Sequence, residues 1–109
     1  MEWLIGHLVG DYLLQNDWMA LNKKKSTVHC VVHVLLYCTA VYAFTGWPLW
    51  AMAVTFACHF IQDRTSIVRW YMSRVGQDQF ASGPCAPWSM IVVDNTLHLV
   101  QLYLLAALV

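Results

Sequence analysis

Four apolar stretches of the chain each carry two ligand-type side chains spaced four residues apart. The pairs are His7 and Asp11, His29 and His33, His59 and Asp63, and Asp94 and His98. On a helix this spacing puts both side chains on one face, one turn apart. All five histidines belong to these pairs, and none is left for a loop. Ionisable groups inside apolar helices are costly and face a protein interior rather than lipid. Eight of them on four helices need a common partner, so the fold must bring the four faces together.

The stretches run over residues 1–21, 27–44, 48–72 and 88–109, each near the roughly 20 residues that span a bilayer as a helix. Asn22-Lys23-Lys24-Lys25 is too charged for lipid, and Ser26 can cap the next helix. Thr45-Gly46-Trp47-Pro48 ends one helix with Gly and opens another with Pro. Residues 76–87, with Gly83, Pro84 and Pro87, read as a loop. Charged residues make up only 11% of the chain, against about 25% in soluble domains, so much of the surface avoids water. A soluble four-helix bundle competes with this reading. It is disfavoured because the second and fourth stretches are apolar almost all round. The expected fold is one all-α domain over residues 1–109, a four-helix transmembrane bundle with a buried His/Asp metal centre. No basic region or cleavage site marks a secretory signal at residues 1–21. The net charge of zero gives no basic field for nucleic acid. Of the four cysteines, Cys30, Cys38 and Cys58 lie inside apolar stretches without CxxC spacing and read as small buried hydrophobes, and nothing demands a disulfide for these or for Cys85.

All six Lys and Arg lie in 23–25 or 64–74. The positive-inside rule puts these regions in the cytoplasm of an integral inner or plasma membrane protein, with Trp47, Trp50, Trp70 and Trp88 as an interfacial belt. At 1.5 Å of rise per residue, Asp11, His33, Asp63 and His98 then lie roughly 12–17 Å from the cytoplasmic edge. His7 and His59 fall about a turn deeper, and His29 and Asp94 about a turn shallower. The pairs overlap in one layer only with this topology.

Imidazole and carboxylate together suit divalent zinc, iron, manganese or nickel. Two such ions carry four positive charges. Three aspartates and one hydroxide cancel them, which lowers the cost of burial. All eight residues, His7, Asp11, His29, His33, His59, Asp63, Asp94 and His98, are expected ligands of two ions, zinc foremost with iron or manganese as alternatives. A proton relay of His/Asp pairs is the metal-free alternative. Gln15, Gln62, Asn95 and Gln101 are candidates to orient ligands. The expected activity is metal-dependent hydrolysis of a phosphoester or phospholipid-like substrate at the membrane, with Asp11 as proton acceptor and Arg64 as phosphate holder. A metal-ion transporter, or an interaction protein whose metal staples the bundle, is the alternative, and a homo-oligomer fits either. A di-iron centre of the usual kind wants glutamates, and Glu2 is the only one.

His7-Leu8-Val9-Gly10-Asp11, Leu14-Gln15, the lysine cluster, His29/His33 and Asp94-Asn95-Thr96-Leu97-His98 resemble a family of small, uncharacterised phage and bacterial membrane proteins of unknown function. The resemblance covers nearly the whole chain and suggests a phage origin. More distantly, the chain is similar to membrane-bound metal-dependent hydrolases, small helical proteins with His and Asp in their helices. That similarity implies hydrolysis, although the order of motifs differs.

Overall fold

A computed structural model describes residues 1–109 and is entirely helical. Helix α1 (Glu2–Leu8) runs into a π-turn over Val9–Leu13, followed by the short α2 (Asp17–Ala20). Helices α3 (Thr27–Thr45), α4 (Leu49–Arg64), α5 (Ile67–Arg74), α6 (Asp78–Ser82) and α7 (Trp88–Ala106) complete the chain. Helices α1, α3, α4 and α7 form a closed ring, each touching the next. Helices α2, α5 and α6 lie outside it.

Of the four expected spans, only α3 and α7 are continuous helices long and apolar enough to cross a membrane. The first stretch breaks at the polar run Gln15-Asn16-Asp17. Asn16 is extended there, and its side chain accepts the Met19 N–H at 3.1 Å. Asn favours this capping position over a helix interior. The third stretch breaks at Thr65-Ser66. Lys24 Nζ donates to the carbonyls of Gln62 (3.2 Å), Asp63 (3.1 Å) and Thr65 (3.1 Å), satisfying groups that a continuing helix would have used. Residues 76–87 are not all loop. Helix α6 forms inside them because Ala81 is buried against Val68 and Met72 of α5. The Gly46 turn follows expectation. Gly46 takes the left-handed conformation that ends α3 (φ 63°), and Pro48 stands at the N-cap of α4.

Two glycines four residues apart let α1 press against α3. A Cβ on Gly6 would lie 2.8 Å from Val41 Cα, and one on Gly10 would lie 3.0 Å from Tyr37 Cα. This is the small-residue packing of close helix pairs. Tyr37, Val41, Met52 and Leu102 form the apolar core at one end of the ring, flanked by Trp3 and Trp47. The outer faces are apolar as well: Leu35, Val92, Val100 and Leu104 are all exposed. A water-soluble monomer seldom leaves so much apolar surface uncovered. All four cysteines are free thiols. Cys30 is buried as expected, but Cys58 is exposed, and so is Cys85.

Candidate metal centre

The ring of helices encloses a layer of buried polar side chains above the apolar core. Each ring element supplies part of it. The π-turn contributes Asp11, α3 contributes His33, α4 contributes His59 and Asp63, and α7 contributes Asp94 and His98. Asp11 owes its place to Gly6 and Gly10, since any side chain there would hold its backbone off α3.

Four atoms converge. His33 Nε2 and His59 Nε2 are 3.1 Å apart. Asp11 Oδ1 lies 3.1 and 3.3 Å from them, and Asp63 Oδ2 lies 2.9 and 3.0 Å from them. These separations are five edges of a tetrahedron whose sixth, between the two carboxylate oxygens, is at most 4.8 Å. A sixth edge between about 3 and 4.8 Å puts the equidistant point roughly 1.9–2.5 Å from each corner, a range that includes the roughly 2.0–2.2 Å of zinc bonds to imidazole nitrogen and carboxylate oxygen. A proton on one ring nitrogen lies along one edge only, whereas a cation at the centre serves all four atoms. Asp11 Oδ1 is buried and accepts no hydrogen bond, a costly state for a carboxylate without such a partner. Asp11, His33, His59 and Asp63 can therefore hold a metal ion.

A second group abuts the first. Asp63 Oδ1 lies 3.2 Å from His98 Nε2, which is 3.6 Å from Asp94 Oδ2. Asp63, Asp94 and His98 are a second candidate ligand set. Asp63 thus turns one carboxylate oxygen to each group. Gln62 Nε2 donates to Asp94 Oδ1 at 2.8 Å and to Asp94 O at 2.7 Å, which fixes that side chain. The His98 ring stacks on His59 with centroids 3.9 Å apart and planes 12° apart, and Tyr37 covers the other neighbour of this stack, 3.8 Å from His59.

Residues 1–109 match the model of a family described as a protein of unknown function, DUF3307. The chain belongs to the DUF3307 family. No curated protein and no solved structure matches it. The resemblance to an uncharacterised family is thereby shown over the whole chain, while no likeness to membrane hydrolases is found.

Six of the eight expected ligands of this DUF3307 chain come together, and two do not. His7 is buried beside the centre with both ring nitrogens engaged. Its Nε2 meets Asn95 Oδ1 at 2.8 Å and its Nδ1 meets Tyr37 Oη at 2.8 Å. Asn95 Nδ2 is committed to Ile91 O, so Asn95 offers its oxygen, His7 Nε2 donates, and Tyr37 donates to Nδ1. His7 holds Tyr37 in place and faces Asp11 Oδ2 at 3.7 Å. His29 stands a turn away, with its ring 4.0 Å from that of Trp18. Arg64 also turns away. Its guanidinium donates to Lys24 O at 2.7 Å and reaches Thr27 Oγ1 at 3.4 Å.

Lys23 takes the place expected of Arg64. Its Nζ lies 3.2 Å from Asp63 Oδ2 and 3.1 Å from Gln15 Oε1. Burial disfavours the charge, but Asp63, Asp11 and Asp94 outweigh it and hold the ammonium above the ordinary lysine range. The positive-inside rule reads Lys23 only as a determinant of topology, and Tyr37 is not among the expected ligands. Tyr37 had a signal: it continues the spacing of four from His29 and His33. Lys23 had none, because the reach of its flexible stem follows from where the loop folds.

Proposed function

We propose that the chain is a membrane-embedded, metal-dependent hydrolase of a phosphoester or phospholipid-like substrate, working with two divalent ions, zinc first among the candidates. The observation that carries this reading is Asp63, which offers one carboxylate oxygen to each of two adjoining ligand sets. Paired ions about 3.5–4 Å apart, when bound, activate water and polarise a phosphoryl oxygen. The protein's own groups then have defined tasks. Asp63 ties the two sets together, and His59 and His98 hold each other by ring stacking. Asp11 commits Oδ1 to the tetrahedral set and keeps Oδ2 to accept a proton from water. The apolar outer faces and the two long helices support a place in the bilayer. The lysine and arginine regions support a cytoplasmic orientation for residues 23–25 and 64–74.

A second reading has an observation of its own. The centre draws on the π-turn after α1 and on α3, α4 and α7, so metal could serve only to staple a small bundle. Elemental analysis of detergent-purified protein, combined with phosphate release from phosphatidic acid, separates the two. Hydrolysis predicts two equivalents of a divalent transition metal and turnover that disappears in Asp63→Asn. Two equivalents with no turnover on any phosphoester would leave the staple. Less than one equivalent of any transition metal would remove both.

A further inference from the structure

Lys23 touches the centre through an atom that a metal ion also needs. Asp63 Oδ2 is the oxygen it meets at 3.2 Å, and the same oxygen is a corner of the tetrahedral set. An ion at the centre would lie about 2 Å from that oxygen, hence within about 5 Å of the ammonium, and two positive charges so close repel strongly where water is scarce. Lys23 and the ion therefore compete for Asp63.

The displaced ammonium has somewhere to go. Two hollows, of about 250 and 160 Å³, open beside the centre, and Lys23, Ile91 and Asp94 line both. The larger has room for several waters, or for a tetrahedral oxyanion among them. No other cationic side chain meets the cluster. Lys24 also lines the larger hollow, but its ammonium is spent on the carbonyls that end α4, and Arg64 is spent on the lysine loop. Charge sets the kind of ligand. Two divalent ions and Lys23 bring five positive charges, and Asp11, Asp63 and Asp94 bring three negative ones. When the ligand displaces the hydroxide that otherwise balances the ions, the surplus of two is cancelled by one dianion, which lowers the cost of a buried net charge.

We infer that Lys23 is an anion-binding residue that metal loading releases from Asp63, forming with the ions a subsite for a phosphomonoester dianion. The inference rests on the hydrolase reading for its ligand class, and binding is ordered, metal before anion. Removing the ammonium has opposite effects on the two ligands. Zinc gains affinity because its competitor is gone, while phosphate loses a contact. A merely structural lysine would weaken both.

The test uses full-length protein in detergent or nanodiscs. Zinc affinity is measured against a chelating dye, and binding of inorganic phosphate to the zinc-loaded protein by calorimetry. Lys23→Met, which keeps the apolar stem, should bind zinc several-fold tighter and phosphate at least about tenfold weaker, the size expected for one nearby charge. Lys23→Arg should restore phosphate binding. Wild-type protein gives an independent check that needs no variant: phosphate should bind after zinc loading and not after chelator stripping. Glycerol phosphate in solution and phosphatidic acid in the nanodisc compete for the same subsite, and the stronger competitor names the source of the headgroup. Unchanged phosphate affinity in Lys23→Met, or weaker zinc binding there, overturns the inference. Equal phosphate binding by loaded and stripped protein does so too. Failure to bind zinc at all strikes the hydrolase reading instead.

Discussion

Replacing Gly6 with alanine tests how the centre is built, without touching any of its ligands. The new methyl would lie 2.8 Å from Val41 Cα, 3.3 Å from Ala40 O and 3.4 Å from Val41 N. Carbon atoms in contact prefer about 3.5–4.0 Å, so α1 must withdraw by roughly 1 Å. The obstacle is backbone and cannot rotate aside. Overpacking of this kind costs about 1–3 kcal/mol. Alanine recovers about 0.5–1 kcal/mol through its better helix propensity. The net loss should be about 1–2 kcal/mol, read by thermal or denaturant unfolding in detergent. The larger effect is on the site. Asp11 rides on the π-turn that continues α1, and its Oδ1 sits only 3.1 Å from His33 Nε2 and 3.3 Å from His59 Nε2. Moving it by roughly an ångström should weaken metal binding about 10–100-fold, the range seen when support around metal ligands is lost. Gly46→Ala is the control. Nothing lies within 4 Å of its added Cβ, so it should cost only the roughly 1–2 kcal/mol of a left-handed backbone and leave metal affinity alone. If Gly6→Ala matched wild type in both measurements, α1 would not lie so close to α3, and Asp11 would lose its place in the centre.

Asp63→Asn should abolish binding at both ligand sets together, and in metal-free protein it should also cost about 1–3 kcal/mol by leaving Lys23 without its carboxylate; metal stoichiometry and unfolding measure the two parts. Tyr37→Phe keeps the ring against His59 but strips the donor from His7 Nδ1, so stability should fall by about 1–2 kcal/mol while zinc affinity moves less than about threefold. Lys24→Met should destabilise by about 1 kcal/mol, because the last carbonyls of α4 lose a charged partner at a site open to water. Metal loading should decline as the medium is acidified, since protons compete with the metal for the clustered imidazoles; loading unchanged down to about pH 5 would count against imidazole ligation.

The spacing of four made the site legible. It depends only on helix geometry, and it marked Asp11, His33, His59, Asp63, Asp94 and His98 wherever the helices pack. His29 shares that spacing yet falls outside, because depth decides the outcome. It sits one turn nearer the loop, where Trp18 of α2 reaches it first. His7 was legible as a buried polar residue but not as one satisfied by Tyr37 and Asn95, which requires knowing the partners. The helix breaks at Asn16 and Thr65 depend on caps supplied from elsewhere, most clearly Lys24 reaching across to α4. Arg64 and Lys23 exchanged their expected places for the same reason. Long cationic side chains are placed by tertiary structure, and a window of sequence carries no information about that.

The break at Gln15-Asn16-Asp17 leaves α1 and its π-turn only the stretch Glu2–Leu13, about 18 Å long. The hydrocarbon layer of a bilayer is about 30 Å thick. In the bilayer proposed above, one wall of the ring would be too short for the lipid around it, and a bilayer meets such mismatch by thinning locally. The thinned patch would fall where the hollows beside Lys23 and Asp94 open, so headgroups would be drawn down toward the carboxylates. Bilayer thickness then becomes a control variable: activity in vesicles should rise as acyl chains shorten and fall as they lengthen, at constant headgroup composition.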